Sequence, residues 1–389
     1  MQLSAGAVLL ALGCAVGPVG CGRAGLGALS ARASSEAAAY ADTDHVAVVT
    51  PSVSGHVENP TAGWSVDGAY LVDVISAASV DIVSTASPRW TEVRQAGSAR
   101  AAYKPGDLGA AAEGSLSSEP DYLAYAAGAS ITRDLDRRNV SLVLSYGYGH
   151  DTIGRAGTPF SVYSHAFDHH GVDAGVTLML DRLTVLAVAA DVILERGDQS
   201  KPYRYIPVFA PGVAPSVPAG ATLQQVTAAQ PVSRVIERLP LARDRFVISA
   251  RLARRLTRAT ARVEGAAYAD SWDMKAFTGD ARLLLDLDRR WSLGAHLRYY
   301  VQSPVSFWRL AYVGSPESVP ALRTGDRELG PLMNVTAGAR VRCELGPPSR
   351  TDAWVLVSAI DATYTGFFAD LYITRRLSAL AAVSVEASW

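Results

Sequence analysis

Three groups of side chains in this sequence have the types and spacing to do chemistry. His150-Asp151 is an adjacent base–acid pair, and Ser145 lies on the same stretch. A hydrolase would need such a serine, histidine and acid within hydrogen-bond reach of one another. No Gly-x-Ser-x-Gly elbow accompanies them, so no residue is assigned a catalytic role and no enzyme is expected. His165, Asp168, His169 and His170 form the second group. Neighbouring residues of a strand point to opposite faces, so His169 and His170 cannot easily share one ion. Their spacing matches no known ligand set, and neither a metal nor a cofactor is expected. The third group sits in two long loops. One carries Asp198, Lys201, Tyr203, Arg204 and Tyr205; the other carries Arg323, Asp326, Arg327 and Glu328. These residues are candidates for gating or docking; the alternative for the first loop is a surface cap that shields the rim, and for the second local self-sealing, the commoner fate of such charge clusters.

Any such residues must be positioned by strands. Period-two alternation recurs from about residue 46 onward. Along 171–180, Val172, Ala174, Val176 and Leu178 oppose Asp173, Gly175 and Thr177. Along 333–344, Met333, Val335, Ala337, Ala339 and Val341 oppose Asn334, Thr336, Arg340, Arg342 and Glu344. The last stretch sets Ala381, Val383, Val385, Ala387 and Trp389 against Ser384 and Glu386. One face is apolar enough for lipid, and the other is too charged for a dry core. The alternation therefore predicts an all-β fold, a closed antiparallel transmembrane β-barrel. Fourteen segments read this way: near 46–57, 65–75, 90–103, 121–133, 139–149, 170–180, 184–195, 246–256, 259–270, 279–288, 291–301, 333–344, 353–364 and 376–389.

Connection lengths support the barrel. Tight turns fall near 134–138, 181–183, 257–258 and 289–290, and long loops at 150–169, 196–245 and 302–332. Short periplasmic turns opposite long extracellular loops are the signature of outer-membrane barrels. Two turns nearly repeat, Asp134-Leu-Asp-Arg-Arg138 and Asp286-Leu-Asp-Arg-Arg290, and read as recurrent hairpins. The segment 76–89 is too long for the short turn its place in this count demands. It reads as a plug-like insertion or as a further hairpin that would make sixteen strands. Trp291 and Trp389 fall at the short-turn end, and Tyr146 and Tyr148 toward the long loops, as a membrane girdle requires.

Composition narrows the class further. The 389 residues are 49% hydrophobic with a net charge of −1, which gives no reason to expect nucleic acid. Cysteine stands only at 14, 21 and 343. Residues 1–33 read as an export signal: an apolar run over 5–16, then Ala31-Arg-Ala33 as a cleavage site. A lipoprotein signal around Cys14 is the less favoured alternative. Residues 34–389 then form a single barrel domain.

Several stretches resemble an uncharacterised outer-membrane β-barrel family of Gram-negative bacteria, a domain of unknown function. They are Tyr40-Ala-Asp-Thr-Asp-His-Val46 leading to Thr50-Pro51, Gly63-Trp-Ser-Val-Asp-Gly-Ala-Tyr70, Ser117-Ser-Glu-Pro-Asp-Tyr122, Gly149-His-Asp-Thr152, and the stretches 197–211 and 323–331. The resemblance implies a barrel of about this size in the outer membrane and brings no established activity.

These readings converge on an integral outer-membrane barrel, expected to be a narrow or gated pore or transporter for a small solute. The candidates for lining its lumen and setting selectivity are Asp191, Glu195, Arg251, Arg262, Glu264, Arg298, Arg340 and Arg342. Asp67, Asp73, Arg282 and Glu344 face the same way. The alternative is a scaffold that anchors a periplasmic or surface partner in an export or redox assembly; a hydrolase ranks third. Expected partners are membrane lipid and lipopolysaccharide, the barrel-assembly machinery through the strand ending at Trp389, and a protein at the loops.

Overall fold

A computed structural model describes residues 29–77, 90–155, 157–200, 204–212, 217–229, 231–345 and 353–389. Most of an export signal over 1–33, the plug or hairpin expected over 78–89, and Lys201 and Tyr203 lie outside the described residues.

Sixteen strands close into one antiparallel barrel. In chain order they are β1 (Ser30–Asp42), β2 (Ala47–Asn59), β3 (Trp64–Ala77), β4 (Trp90–Tyr103), β5 (Leu108–Glu119), β6 (Tyr122–Leu135), β7 (Val140–Ile153), β8 (His165–Asp181) and β9 (Thr184–Gly197). The circuit continues with β12 (Ala242–Arg255), β13 (Ala259–Asp270), β14 (Lys275–Asp286), β15 (Trp291–Gln302), β17 (Leu332–Leu345), β18 (Ala353–Phe367) and β19 (Arg375–Ser388). Pairing of β1 with β19, Ala37 opposite Val383, closes the circle and leaves no open edge.

Sixteen is the larger of the two expected counts. Two described strands join the fourteen segments. They are β1 and β5, and β3 pairs with β4 across the 76–89 segment. Insertion of β5 also shifts the alternation by one, so the connection from 78 to 89 falls on the long-loop side, where its length is ordinary. The remaining long connections, 154–164, 198–241 and 303–331, leave from that same end. Not every connection there is long: β5 and β6 are joined through 120–121 alone.

Register fixes which way each side chain points. Exposed aliphatics such as Ile131, Leu144, Ile248, Val263, Leu297 and Ile360, each 55–60% exposed, all fall on the outer face. Roughly 25 cal/mol per Å² favours covering such surface, which in a closed barrel only lipid does. Trp64, Tyr103, Trp291, Trp354 and Trp389 ring the outside at the short-turn end. Tyr125, Tyr146 and Tyr148 lie outside toward the other end. The protein is therefore an outer-membrane β-barrel with its short turns in the periplasm.

Both repeated turns use their first aspartate in one way. Asp134 turns inward to Lys104 Nζ at 2.7 Å, and Asp286 to Arg255 Nη2 at 2.5 Å. Asp134 thus ties its hairpin to the β4–β5 turn, and Asp286 ties its own to the end of β12, each across one intervening strand. In the second turn, Asp288 accepts the backbone N–H groups of Arg290 and Trp291, which hold its carboxyl below the usual range.

Candidate functional site: the roofed mouth of the lumen

The twelve charges read as inward all have inward register. In the β12–β15 arc, Arg251 faces Glu264, Glu264 faces Asp280 and Asp280 faces Arg298. Arg251 bonds Glu264 at 2.7 Å. Arg262 lies directly opposite Arg282, a like-charge pair relieved where Arg282 reaches Asp280 at 2.7 Å. Arg342 reaches Glu344 at 2.7 Å, Arg94 reaches Asp73 at 3.5 Å and Asp67 meets His56 at 2.6 Å. Glu195, 3% exposed, holds Arg245 at 2.7 Å. Asp191 faces Asp173 across β8 and β9. Arg298 and Arg340 make no ion pair among the described residues.

The lumen is lopsided. Over β12–β17 the inner wall is dense with arginine. Over β4–β9 it is mostly small: Ala96, Ser98, Ser115, Gly128, Gly147 and Gly171. Water reaches the interior, since lumen-facing Leu380 is 41% exposed and the Arg282 side chain 48%.

At the extracellular end the long loops fold into a cap. Loop 198–241 supplies β10 (Tyr205–Phe209), α1 (Leu223–Ala228) and β11 (Ser233–Ile236), and loop 303–331 supplies β16 (Tyr312–Val313). These short strands form a sheet in the order β11-β10-β16. The reason is in the sequence: Ile206, Val208 and Val235 present apolar side chains that pack on Tyr312 and Val319. Phe209, Val217, Ala221, Val226 and Leu371 form a second cluster, and Leu239, Trp272, Met274, Val305 and Trp308 a third. The second cluster includes Leu371, from the β18–β19 connection. Thr222 starts α1 with a reciprocal capping box to Gln225.

Of the loop residues named as gating or docking candidates, Arg204, Arg323 and Asp326 bond within this cap. Arg204 forms a buried ion pair with Asp326, with Glu237 at 3.9 Å. Thr324 Oγ1 donates to Glu237 at 2.6 Å. Arg323 donates to the carbonyls of Ile236 and Pro320 at 2.9 and 3.0 Å. Burial, and Arg238 nearby, lower its pKa from the usual guanidinium value. Asp198 caps its own turn through Ser200 N and meets His165 at 3.3 Å. Tyr205 opens β10.

Residues 324–331 also reach over the lumen, because inward-facing side chains of the wall hold them. Gln302 of β15 donates to the carbonyls of Glu328 and Gly330 at 2.9 and 2.7 Å. Arg376 of β19 lies 3.7 Å from Glu328. Arg327 bonds Asp44, in the β1–β2 turn, at 2.6 Å, with side chains 10% and 1% exposed. Asp44, Gln302 and Arg376 were not anticipated. The alternation gives the face of Gln302 and Arg376, but no local signal names their loop partner.

The Ser145–His150–Asp151 set does not converge. Ser145 and Asp151 face the lumen and His150 faces outward, hydrogen-bonded to Asp168 at 2.8 Å. Tyr148 also donates to Asp168 at 2.7 Å, and Tyr146 meets His170 at 2.8 Å. His165 and His169 share the inward register, and His169 lies near buried Asp151, which accepts a hydrogen bond from Tyr122. At the extracellular rim Glu92, Glu119 and Asp121 bring one ligand atom each within 4.8 Å, an oxygen set of the kind divalent cations use.

The sequence matches a family described as a protein of unknown function, DUF3570, over residues 31–355. The chain belongs to DUF3570. The match spans β1 to the opening of β18, and so includes the cap and the arginine arc. A search of curated proteins finds no match. Among solved structures, the siderophore receptor PirA from Acinetobacter baumannii is similar at 11% identity and a TM-score of 0.42, over 88% of this chain and 53% of that one. The DUF3570 chain thus spans about half of that receptor's length. The outer-membrane protein opdK from Pseudomonas aeruginosa is similar at 8% identity and TM-score 0.45, covering 93% of this chain and 99% of that one. OprD from Pseudomonas aeruginosa is similar at 9% and 0.44, with 92% and 95% covered.

Proposed function

We propose that this DUF3570 protein is a gated passage for small polar solutes across the outer membrane, held closed from outside by its own cap. One observation carries the reading: lumen-facing Gln302 and Arg376, with Asp44 of the rim, hold residues 324–331 over the β15–β1 side of the mouth of a wet, polar barrel. Barrels of sixteen strands are wide enough for an aqueous channel, so a closed state calls for a cover. The cover is held by ion pairs and hydrogen bonds around its edge. Loops held this way open on the microsecond-to-second scale when a few contacts yield.

The test is solute flux into proteoliposomes carrying the wild-type protein or Asp44→Asn. The reading expects slow wild-type flux that rises roughly tenfold in the variant, the effect of about 1.4 kcal/mol on a closed–open equilibrium. Equal absence of flux from both, with both barrels folded, would contradict it and favour a scaffold role.

A further inference from the structure

Beneath the roof lies a recess of about 280 Å³ in the lumen wall formed by β1, β15 and β17–β19. Its lining contains two arginines, Arg298 and Arg376, and no carboxylate. That is unusual in a lumen where most charges are paired. The register sets Arg298 opposite Asp280, but Asp280 is occupied by both Nε and Nη2 of Arg282, at 2.7 and 3.2 Å. Arg376 is 8% exposed, and its Nε has no hydrogen-bond partner. Glu328, its ion-pair neighbour among the described residues, stands 3.7 Å from Nη1 of the guanidinium and is itself half exposed. A buried guanidinium N–H left without an acceptor costs free energy, and a bound oxyanion would recover it.

The rest of the lining offers acceptors. Asn334 Oδ1 has no partner. Tyr40 and Tyr300 donate their hydroxyl protons away from the recess, to Asp42 at 2.8 Å and to Gln302 at 2.6 Å, so their oxygens face it as acceptors, Tyr40's beside the Ser378 hydroxyl. Thr336 and Thr363 share one hydrogen bond at 2.8 Å. Two cations beside several hydroxyl-compatible acceptors make a recognisable pattern.

We infer that this recess binds a small hydroxylated oxyanion, its carboxylate or phosphate on Arg298 and Arg376 and its hydroxyls toward Asn334 and the two tyrosines. The inference rests on the passage reading for its use, since a recess in the lumen meets only what enters the lumen. Binding itself does not require transport. The substrate class of the passage is accordingly small organic anions carrying hydroxyl groups.

Calorimetry on the detergent-solubilised full-length protein tests this with gluconate, glycerol 3-phosphate and glucose. Gluconate and glycerol 3-phosphate separate a carboxylate from a phosphate source, and glucose keeps hydroxyls without charge. At least one anion is expected to bind roughly tenfold or more tighter than glucose. Arg298→Gln should lose that margin and Arg298→Lys should keep part of it, because charge persists while the two-pronged geometry does not. Heat-modifiable gel migration verifies that both variants fold. Binding of neither anion to the wild type, equal binding of glucose, or unchanged affinity in Arg298→Gln would overturn the inference. Flux measured in parallel separates the two claims. Anion binding without flux leaves the site standing and removes the passage. Flux without charge preference or anion binding does the reverse.

Discussion

Gly338 shows how closely single residues set the inner wall. It lies between His296 of β15 and Asp361 of β18, which approach to 3.6 Å across it. A Cβ at this position would collide with both side chains. Gly338→Val should part the pair and cost about 1–3 kcal/mol, seen as a lower urea midpoint for folding into lipid vesicles. An unchanged midpoint would mean that the His296–Asp361 contact is not formed. Asp288 makes a different point at the periplasmic end. Its carboxylate is depressed by two backbone N–H bonds, so its support for the hairpin is complete above the ordinary aspartate pKa. That support fades as pH falls through the lowered value.

At the scale of strands, β5 carries a lesson in hydrophobic contrast. Its outer face is Leu108, Ala110, Ala112, Gly114, Leu116 and Ser118, and its inner face Ala111, Glu113, Ser115 and Ser117. The contrast between the faces is weak, since small residues fill most of both, and β-branched residues are missing. Alternation therefore reads weakly here, although β4 and β6 complete the ladder on both sides. The alanine-rich β1 fails to stand out for a related reason: Ala37, Ala38 and Ala39 give a strand no contrast at all. Strands such as β8, β17 and β19 were legible because valine and leucine alternate with aspartate, threonine, arginine or glutamate. The orientation of β5 is directly testable in a Cys343→Ser background. A cysteine at Ser115 should react with a membrane-impermeant maleimide that enters the lumen, and one at Leu116 should be protected by lipid. The reverse labelling would place β5 one residue out of register and turn its faces over.

For the whole molecule, the barrel and its inward charges could be read from sequence because period-two patterning is local and repeats in every strand. The mouth could not. Arg204 and Asp326 were singled out as charged loop residues, yet their pairing joins segments more than a hundred positions apart. Arg327 and Asp44 are separated by 283 positions. Loops that fold on one another through apolar clusters leave no periodic trace, so neither the cap nor its hold on β15 and β19 shows before the chain is folded. The lopsided lumen likewise emerges only when β12–β17 are set side by side.

Single-channel recording in planar bilayers tests the gated passage most directly, with wild-type protein and Asp44→Asn side by side. The account predicts rare, brief openings for the wild type and openings of the same conductance but several-fold longer total duration for the variant. Silence from both folded proteins, or a continuously open wild type indistinguishable from the variant, would contradict it.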